Sequence, residues 1–557
     1  MPTPTPGGNM FNSPRRRLLL AAGLVTLGLV GAACSGTANA PGNGGDPAAY
    51  EVTTDTPDAS GDVDSFTWAL YAEPFSLDYA YAFDYPPNTV LANVCESLLR
   101  WNPDLSYSPG LAEKVDHPNP TSWVYTIREG VTFHDGTTLT AGDVVASLTR
   151  HLEPRVGSYW ASAYRNVKSI EKTGDDQVTV TLTRPDSLFN QYMAASPGTI
   201  ESAATLAAAG PDYGNSTEGV NCTGPFSLKS WDSGNDITLE RYADYWDTEL
   251  MALAGEVRFV FLPDSNTRVN AWASGQVDGG WQVPSNAFAQ LEGSDTGSLY
   301  YGVNTAVTSE IVSNTKGILG DPRVRQALLM AMDREGIVKA GEQGVAEVAE
   351  SLATRSQWGD ADSDELDALE AALPKYPHDV AAAKELAAEA GVDGQEIVLA
   401  TSPVFSASDV ATNAVAQAAK DIGLTPKIET ISPEKYTALF SDPAARKGID
   451  LFLTIWYTSI TDPMDFYGVL QTGEFSNYGG YSNAEFDKAI EAAGAAEVDD
   501  PERTALIGEA EKIAMEDLPW LPMYTAPTAV WLGERITGVE PSISFMYYPW
   551  AATIGAR

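Results

Sequence analysis

Residues 126–148 read TIREGVTFHDGTTLTAGDVVASL, and three signals follow one another along them. The alternating residues up to Phe133 suit a strand. Asp135-Gly136 suits a tight turn, because glycine accepts positive φ at little cost. Thr140 suits a helix N-cap, and Val144, Val145 and Leu148 then share one helical face. Strand, turn and helix packed so closely predict an α/β chain. His134 beside Asp135 also has the form of a general base with its orienting acid, so the same residues raise the question of catalysis.

Outward from this stretch the alternation continues. Residues 64–86, DSFTWALYAEPFSLDYAYAFDYP, open as a strand and pass into a loop near Pro74. Residues 88–103, NTVLANVCESLLRWNP, place Val90, Leu91, Val94, Leu98 and Leu99 at helical spacing and stop at Asn102-Pro103. Strands are predicted in QVTVTLTR, DITLERYADYW and EVRFVFLP, and a helix followed by a short strand in SNTRVNAWASGQVDGGW. Residues 321–345 have the pattern of an amphipathic helix pair. From residue 379 helix and strand alternate three times, ending in IDLFLTIWYT, before the strand-like PWLPMYTAPTAVWLG. Two α/β lobes follow from this order, with the chain crossing near residue 305 and returning near residue 520. A cleft between two lobes is where a small ligand would sit.

The chain has 557 residues and a formal charge of −41 from 75 acidic and 34 basic side chains. So acidic a surface repels phosphate backbones and excludes nucleic acid as a partner. Arg15-Arg16-Arg17 precede the apolar run LLLAAGLVTLGLVGAA, which ends at Cys34-Ser35-Gly36. This is the pattern of a signal peptide over residues 1–33. Small residues before a cysteine and a Gly/Asn/Pro-rich stretch behind it resemble a lipoprotein signal, with Cys34 as the lipidated residue, 34–60 as a flexible spacer and the protein held on the outer face of the cell membrane. The arginines also resemble a twin-arginine export signal, so the export route stays open. Beyond residue 35 no uninterrupted apolar run reaches the roughly 18 residues a membrane span needs. Cys95 and Cys222 remain, either as a disulfide or as two separate thiols.

The histidines are His117, His134, His151 and His378, and their spacing suggests no metal site. There is no G-x-S-x-G, H-E-x-x-H or P-loop pattern. A secreted acidic hydrolase using paired carboxylates is the alternative of another class, although nothing in the sequence fixes such a pair at one site.

Several segments in order resemble solute-binding protein family 5, the extracytoplasmic oligopeptide-, dipeptide- and nickel-binding components of ABC importers. Residues 126–148 are similar to the family signature, and NVCESLLRWNPDLSYSPGLAEKV, CTGPFSLKSW, RYADYWD, GQVDGGW, DPRVRQALLMAMDREGIV, AAAKELAAEAGVDG, WYTSITDP and YGGYSNAEFDKAIEAA support it. The resemblance implies an α/β, two-lobed periplasmic-binding-protein-like fold (type II, cluster C-like) with a two-strand hinge. It divides the chain into lobe I over 61–94 and 216–305, an inserted subdomain over 95–215, lobe II over 306–520 and a return to lobe I over 521–557. It further implies a monomer that is not an enzyme, needs no cofactor and delivers a peptide, or alternatively an oligosaccharide, to ABC permease subunits.

For the ligand site, Trp456, Tyr457, Thr458 and Ser459 follow a buried strand pattern and should emerge at the lobe edge. Many peptide binders of the family carry an aspartate three residues after this tryptophan, opposite the peptide ammonium. Ser459 stands there, which favours a neutral ligand unless Asp462 or Asp465 reaches in. Tyr71 with Glu73, Trp281, and Tyr301 with Asn304 are further candidates, as is Trp160 from the inserted subdomain. Core packing competes with ligand contact for each of them.

Overall fold

The computed structural model describes residues 50–359, 361–403, 408–498 and 500–557. The signal sequence and Cys34 lie outside the described residues. A seven-stranded sheet forms the first lobe in the order Phe226–Asp232, Asp236–Arg241, Ala254–Phe261, Val63–Leu70, Gly279–Trp281, Thr528–Gly533, Gly297–Gly302. Val63–Leu70 lies parallel to both neighbours at the centre, and the outer pairs are antiparallel. A six-stranded sheet forms the second lobe in the order Glu347–Val348, Trp520–Thr525, Val307–Val312, Leu451–Trp456, Glu396–Thr401, Thr425–Thr430. Each sheet is packed into its own large apolar core. Among the described residues no helix is long and apolar enough to cross a membrane.

The chain crosses between the sheets at 303–306 and returns at 526–527. The two crossings are clipped together: the Asn304 side-chain amide donates to the Ala526 carbonyl (2.9 Å), and the Thr528 hydroxyl donates to the Val303 carbonyl (2.9 Å). Gly302 leads into the first crossing, where a Cβ would overlap the Pro541 carbonyl. The return lies later than the expected 520, because Trp520–Thr525 pairs with Val307–Val312 and so belongs to the second sheet.

A four-stranded antiparallel sheet, Ala112–Asn119, Ser122–Ile127, Gln177–Leu182 and Val167–Lys172, lies in the expected inserted region. The strand expected up to Phe133 ends at Ile127, and the signature stretch continues through turns, with a single bridge between Thr132 and Thr138, into the helix. Gly136 has φ +81°, Asp135 accepts from the Thr137 amide (2.9 Å), and Thr140 caps Ala141–Arg150 in a reciprocal box with Asp143.

Two expectations fail on physical grounds. The helix expected over residues 88–103 is instead Tyr85–Leu91, with Pro86 and Pro87 in its first turn, followed by the strands Glu96–Ser97 and Leu99–Trp101. Val90, Leu91, Val94 and Leu98 are buried whatever the backbone does, so their spacing reports burial rather than helix. Leu98 and Leu99 donate their amides to Gly198 and Met193 instead of continuing a helix. Nor is the described end of the spacer loose: the Thr53 amide bonds the Tyr301 carbonyl, the Thr56 hydroxyl the Val539 carbonyl, and the Ser60 amide the Ala556 carbonyl. Cys95 and Cys222 are bonded, with Cα atoms 4.8 Å apart.

Candidate functional site

The strand Leu451–Trp456 carries the chain to the edge of the second sheet, and residues 457–465 leave it against the first lobe. The Tyr457 ring lies 5.1 Å from that of Tyr85, and its hydroxyl donates to the Phe83 carbonyl (2.7 Å). Thr458 is fully buried and faces the crossing, accepting from the Gln357 amide at its hydroxyl (3.0 Å) and from Thr305 at its carbonyl (3.2 Å). The Ser459 hydroxyl accepts from Tyr547 of the first lobe (3.0 Å), and its amide donates to Asp465 (2.7 Å). Thr461 accepts from the Trp101 indole (2.7 Å) and donates its amide to Tyr107 (2.7 Å). The loop is therefore the second lobe's half of a seam.

Two aspartates on this loop have different surroundings. Asp462 is 2% exposed and accepts from Arg503 (2.7 Å) and from Gln191 across the seam (2.8 Å). Its charge is already met. Asp465 accepts from Tyr192 of the first lobe (2.6 Å) and from the Ser459 amide, and among the described residues no basic side chain pairs with it. Burial pushes its carboxyl up to about 6, against the lowering effect of those two hydrogen bonds, and the Asp462 charge adds to the rise.

The first lobe brings Phe83, Asp84 and Tyr85 to the seam. Asp84 caps Tyr85–Leu91 and accepts from the Tyr85 amide (2.8 Å) and the Tyr71 hydroxyl (3.1 Å), and burial raises its carboxyl. Tyr159 stacks on Phe83 at 4.2 Å and 15° and keeps 37% of its surface exposed. Beyond Tyr159, Arg165 pairs with Glu474 across the mouth of the seam.

The remaining expected residues do not gather there. Trp456 packs on Trp520 (5.2 Å) and Tyr478 (6.4 Å) at the base of the loop. Glu73 accepts from the Trp231 indole (2.8 Å) and the Gly234 amide (3.0 Å), tying down a hairpin of the first sheet. Trp281 is buried in a stack on Phe545 (4.4 Å), Tyr301 bonds Glu292 (2.9 Å), and Asn304 clips the crossing. Trp160 donates its indole to the Ala82 carbonyl (3.1 Å) behind Tyr159. Tyr71 reaches the seam only through Asp84. Sequence reasoning missed Phe83, Asp84, Tyr85, Tyr159, Tyr192 and Tyr547. The one available signal was the density of aromatic residues in YAYAFDYP and SYWASAY.

His134 is no base. Its Nε2 bonds the Gly224 carbonyl (3.0 Å), its ring sits edge-on to Tyr242, and burial lowers its pKa to about 4. Asp135 bonds Thr137 rather than the imidazole.

The family described as bacterial extracellular solute-binding proteins, family 5 Middle, matches residues 106–478. The dipeptide-binding protein DppE of Bacillus subtilis is 26% identical over 510 residues, covering 86% of this chain and 90% of that protein. The glutathione-binding protein GsiB of Salmonella typhi is 25% identical over 484 residues, covering 85% and 91%. Among solved structures, the oligopeptide-binding protein AppA of Bacillus subtilis, in complex with a nonapeptide, superposes with a TM-score of 0.77 at 23% identity, covering 89% of this chain and 99% of that one. DppA of Helicobacter pylori, in complex with the peptide STSA, gives 0.78 at 20% identity, covering 89% and 98%. These structural likenesses concern the fold.

Proposed function

The chain belongs to family 5 of the bacterial extracellular solute-binding proteins, and from that premise we propose that it captures a peptide bearing a free amino group between its lobes and delivers it to the membrane subunits of an ABC importer. The observation that carries the choice of ligand is Asp465: a carboxylate in the seam, oriented by Tyr192 and Ser459, without a basic partner among the described residues. A ligand ammonium supplies the missing charge, and a charge-assisted hydrogen bond of this kind contributes roughly 1.5–3 kcal/mol. Asp465 thereby takes the part that an aspartate at position 459 would have played. The curated relatives named for binding a dipeptide and glutathione support a peptide ligand.

The mechanism needs no bond to break. A ligand that contacts Asp465 and Tyr457 from one lobe and Phe83, Asp84 and Tyr159 from the other binds the closed arrangement more tightly than the open one, and so shifts the population toward closure. The hydrogen-bonded crossings at 303–306 and 526–527 are the place for the hinge. Export through the N-terminal signal and lipidation at Cys34 would keep the protein, as a monomer, beside its permease on the outer face of the membrane.

An oligosaccharide is the second reading, favoured by the exposed face of Tyr159 stacked on Phe83. Calorimetric titration with a tripeptide, its N-acetylated form and a hexose trimer separates the two. The expected result is binding of the free tripeptide, at least tenfold weaker binding of the acetylated one and none of the sugar. Binding of the hexose trimer alone overturns the peptide reading.

A further inference from the structure

The first lobe presents a second acid that the peptide reading leaves unused. Asp84 receives both of its donors, the Tyr85 amide and the Tyr71 hydroxyl, on Oδ1, and among the described residues no hydrogen bond reaches Oδ2. Among the described residues no basic side chain pairs with Asp84 or with Asp465. Arg503 pairs with Asp462 and Arg165 with Glu474, while Arg268, beside Tyr71, donates one Nη to the Leu262 carbonyl (2.7 Å) and keeps its buried Nε without a partner among the described residues.

Asn88 is an independent anomaly at the same place. Its side chain is fully buried, and among the described residues neither its Oδ1 nor its Nδ2 has a hydrogen-bond partner. Leaving such a group unmet is among the more expensive features a fold can hold. Its backbone amide donates to the Asp84 carbonyl (3.3 Å), one helical turn back. Helical side chains lean toward the N-terminus of their helix, so the Asn88 carboxamide leans toward Asp84. The flanking residues Phe83 and Tyr85 both touch the opposite lobe's Tyr457, which fixes this group at the seam.

Resting on the peptide reading above, we propose that the preferred ligand is a peptide with a basic side chain at its amino end, its ammonium on Asp465 and its side-chain cation on Asp84, with Asn88 as a further acceptor. The Tyr159 ring, stacked on Phe83 and 37% exposed, offers a surface along which a lysine or arginine stem can lie and to which its cation is attracted.

The test is calorimetric titration of the full protein with Lys-Ala-Ala and with norleucyl-Ala-Ala, which match in stem length and differ in the side-chain charge. The lysyl peptide should bind at least tenfold more tightly, and the ratio should fall to about one in both Asp84→Asn and Asp84→Ser. The serine variant keeps an N-cap, so a loss of helix is not mistaken for a loss of charge. Equal affinities in the unaltered protein overturn this inference and leave the peptide reading standing. A ratio that survives both substitutions overturns the role of Asp84. Binding of neither peptide overturns the peptide reading and the inference together.

Discussion

Asp462 and Asp465 lie three residues apart on one loop, yet Arg503 pairs with the first while among the described residues no basic side chain pairs with the second, and the two respond differently to mutation. Asp462→Ala leaves the Arg503 guanidinium buried without its partner, and losses from such broken pairs run to about 3–5 kcal/mol. Urea unfolding should show a decrease of that order. Asp465 behaves in the opposite way. Its carboxyl titrates near pH 6 when folded, above the ordinary value of 3.8. Between those values the folded chain holds a proton that the unfolded chain has released. Stability therefore falls as pH rises from about 4 to 6 and stays lower above. Asp465→Asn escapes that loss, so its melting temperature should exceed that of the unaltered protein at pH 7.5 and match it near pH 4. A variant less stable at pH 7.5 would contradict the assignment. Asp465 was legible in the sequence as an acid that might reach the site. Asp84 was not, because a lone Asp between aromatic residues has no motif, and only the fold brings its neighbours Phe83 and Tyr85 against Tyr457.

At the scale of elements, the signature helix was readable because its cap, turn and apolar face all agree. The Asp143 carboxylate accepts from the Thr140 amide (3.0 Å) and hydroxyl (2.6 Å), while Thr140 accepts from the Gly142 amide (3.2 Å). Thr140→Ala should lower stability by about 1 kcal/mol, measured by thermal melting. Residues 88–103 misled for the converse reason. Val94 and Leu98 are buried on every side, so periodicity carried no directional information, and the Cys95–Cys222 bond with its neighbouring Gly224 sets the backbone course. Trp281, Tyr301 and Asn304 were plausible as ligand contacts because aromatic and amide side chains serve cores and clefts equally well. Their stacks and bonds place them in packing and at the crossing instead.

At the scale of the whole molecule, two sheets with their own cores, linked through the chain by short hydrogen-bonded crossings, make a device whose closure a ligand can control. The order of segments along the chain made this architecture legible, since each crossing is marked by a change from one strand set to the other. The seam was not legible, because its halves come from distant parts of the chain, from 88 to 374 residues apart, and meet only in the fold. The most direct measurement is the affinity of one tripeptide with a free amino group and of its N-acetylated form, titrated into the unaltered protein and into Asp465→Asn at pH 7.5. The account predicts at least tenfold preference for the free peptide, reduced to about one by the substitution. Equal affinity for both peptides in the unaltered protein would contradict it.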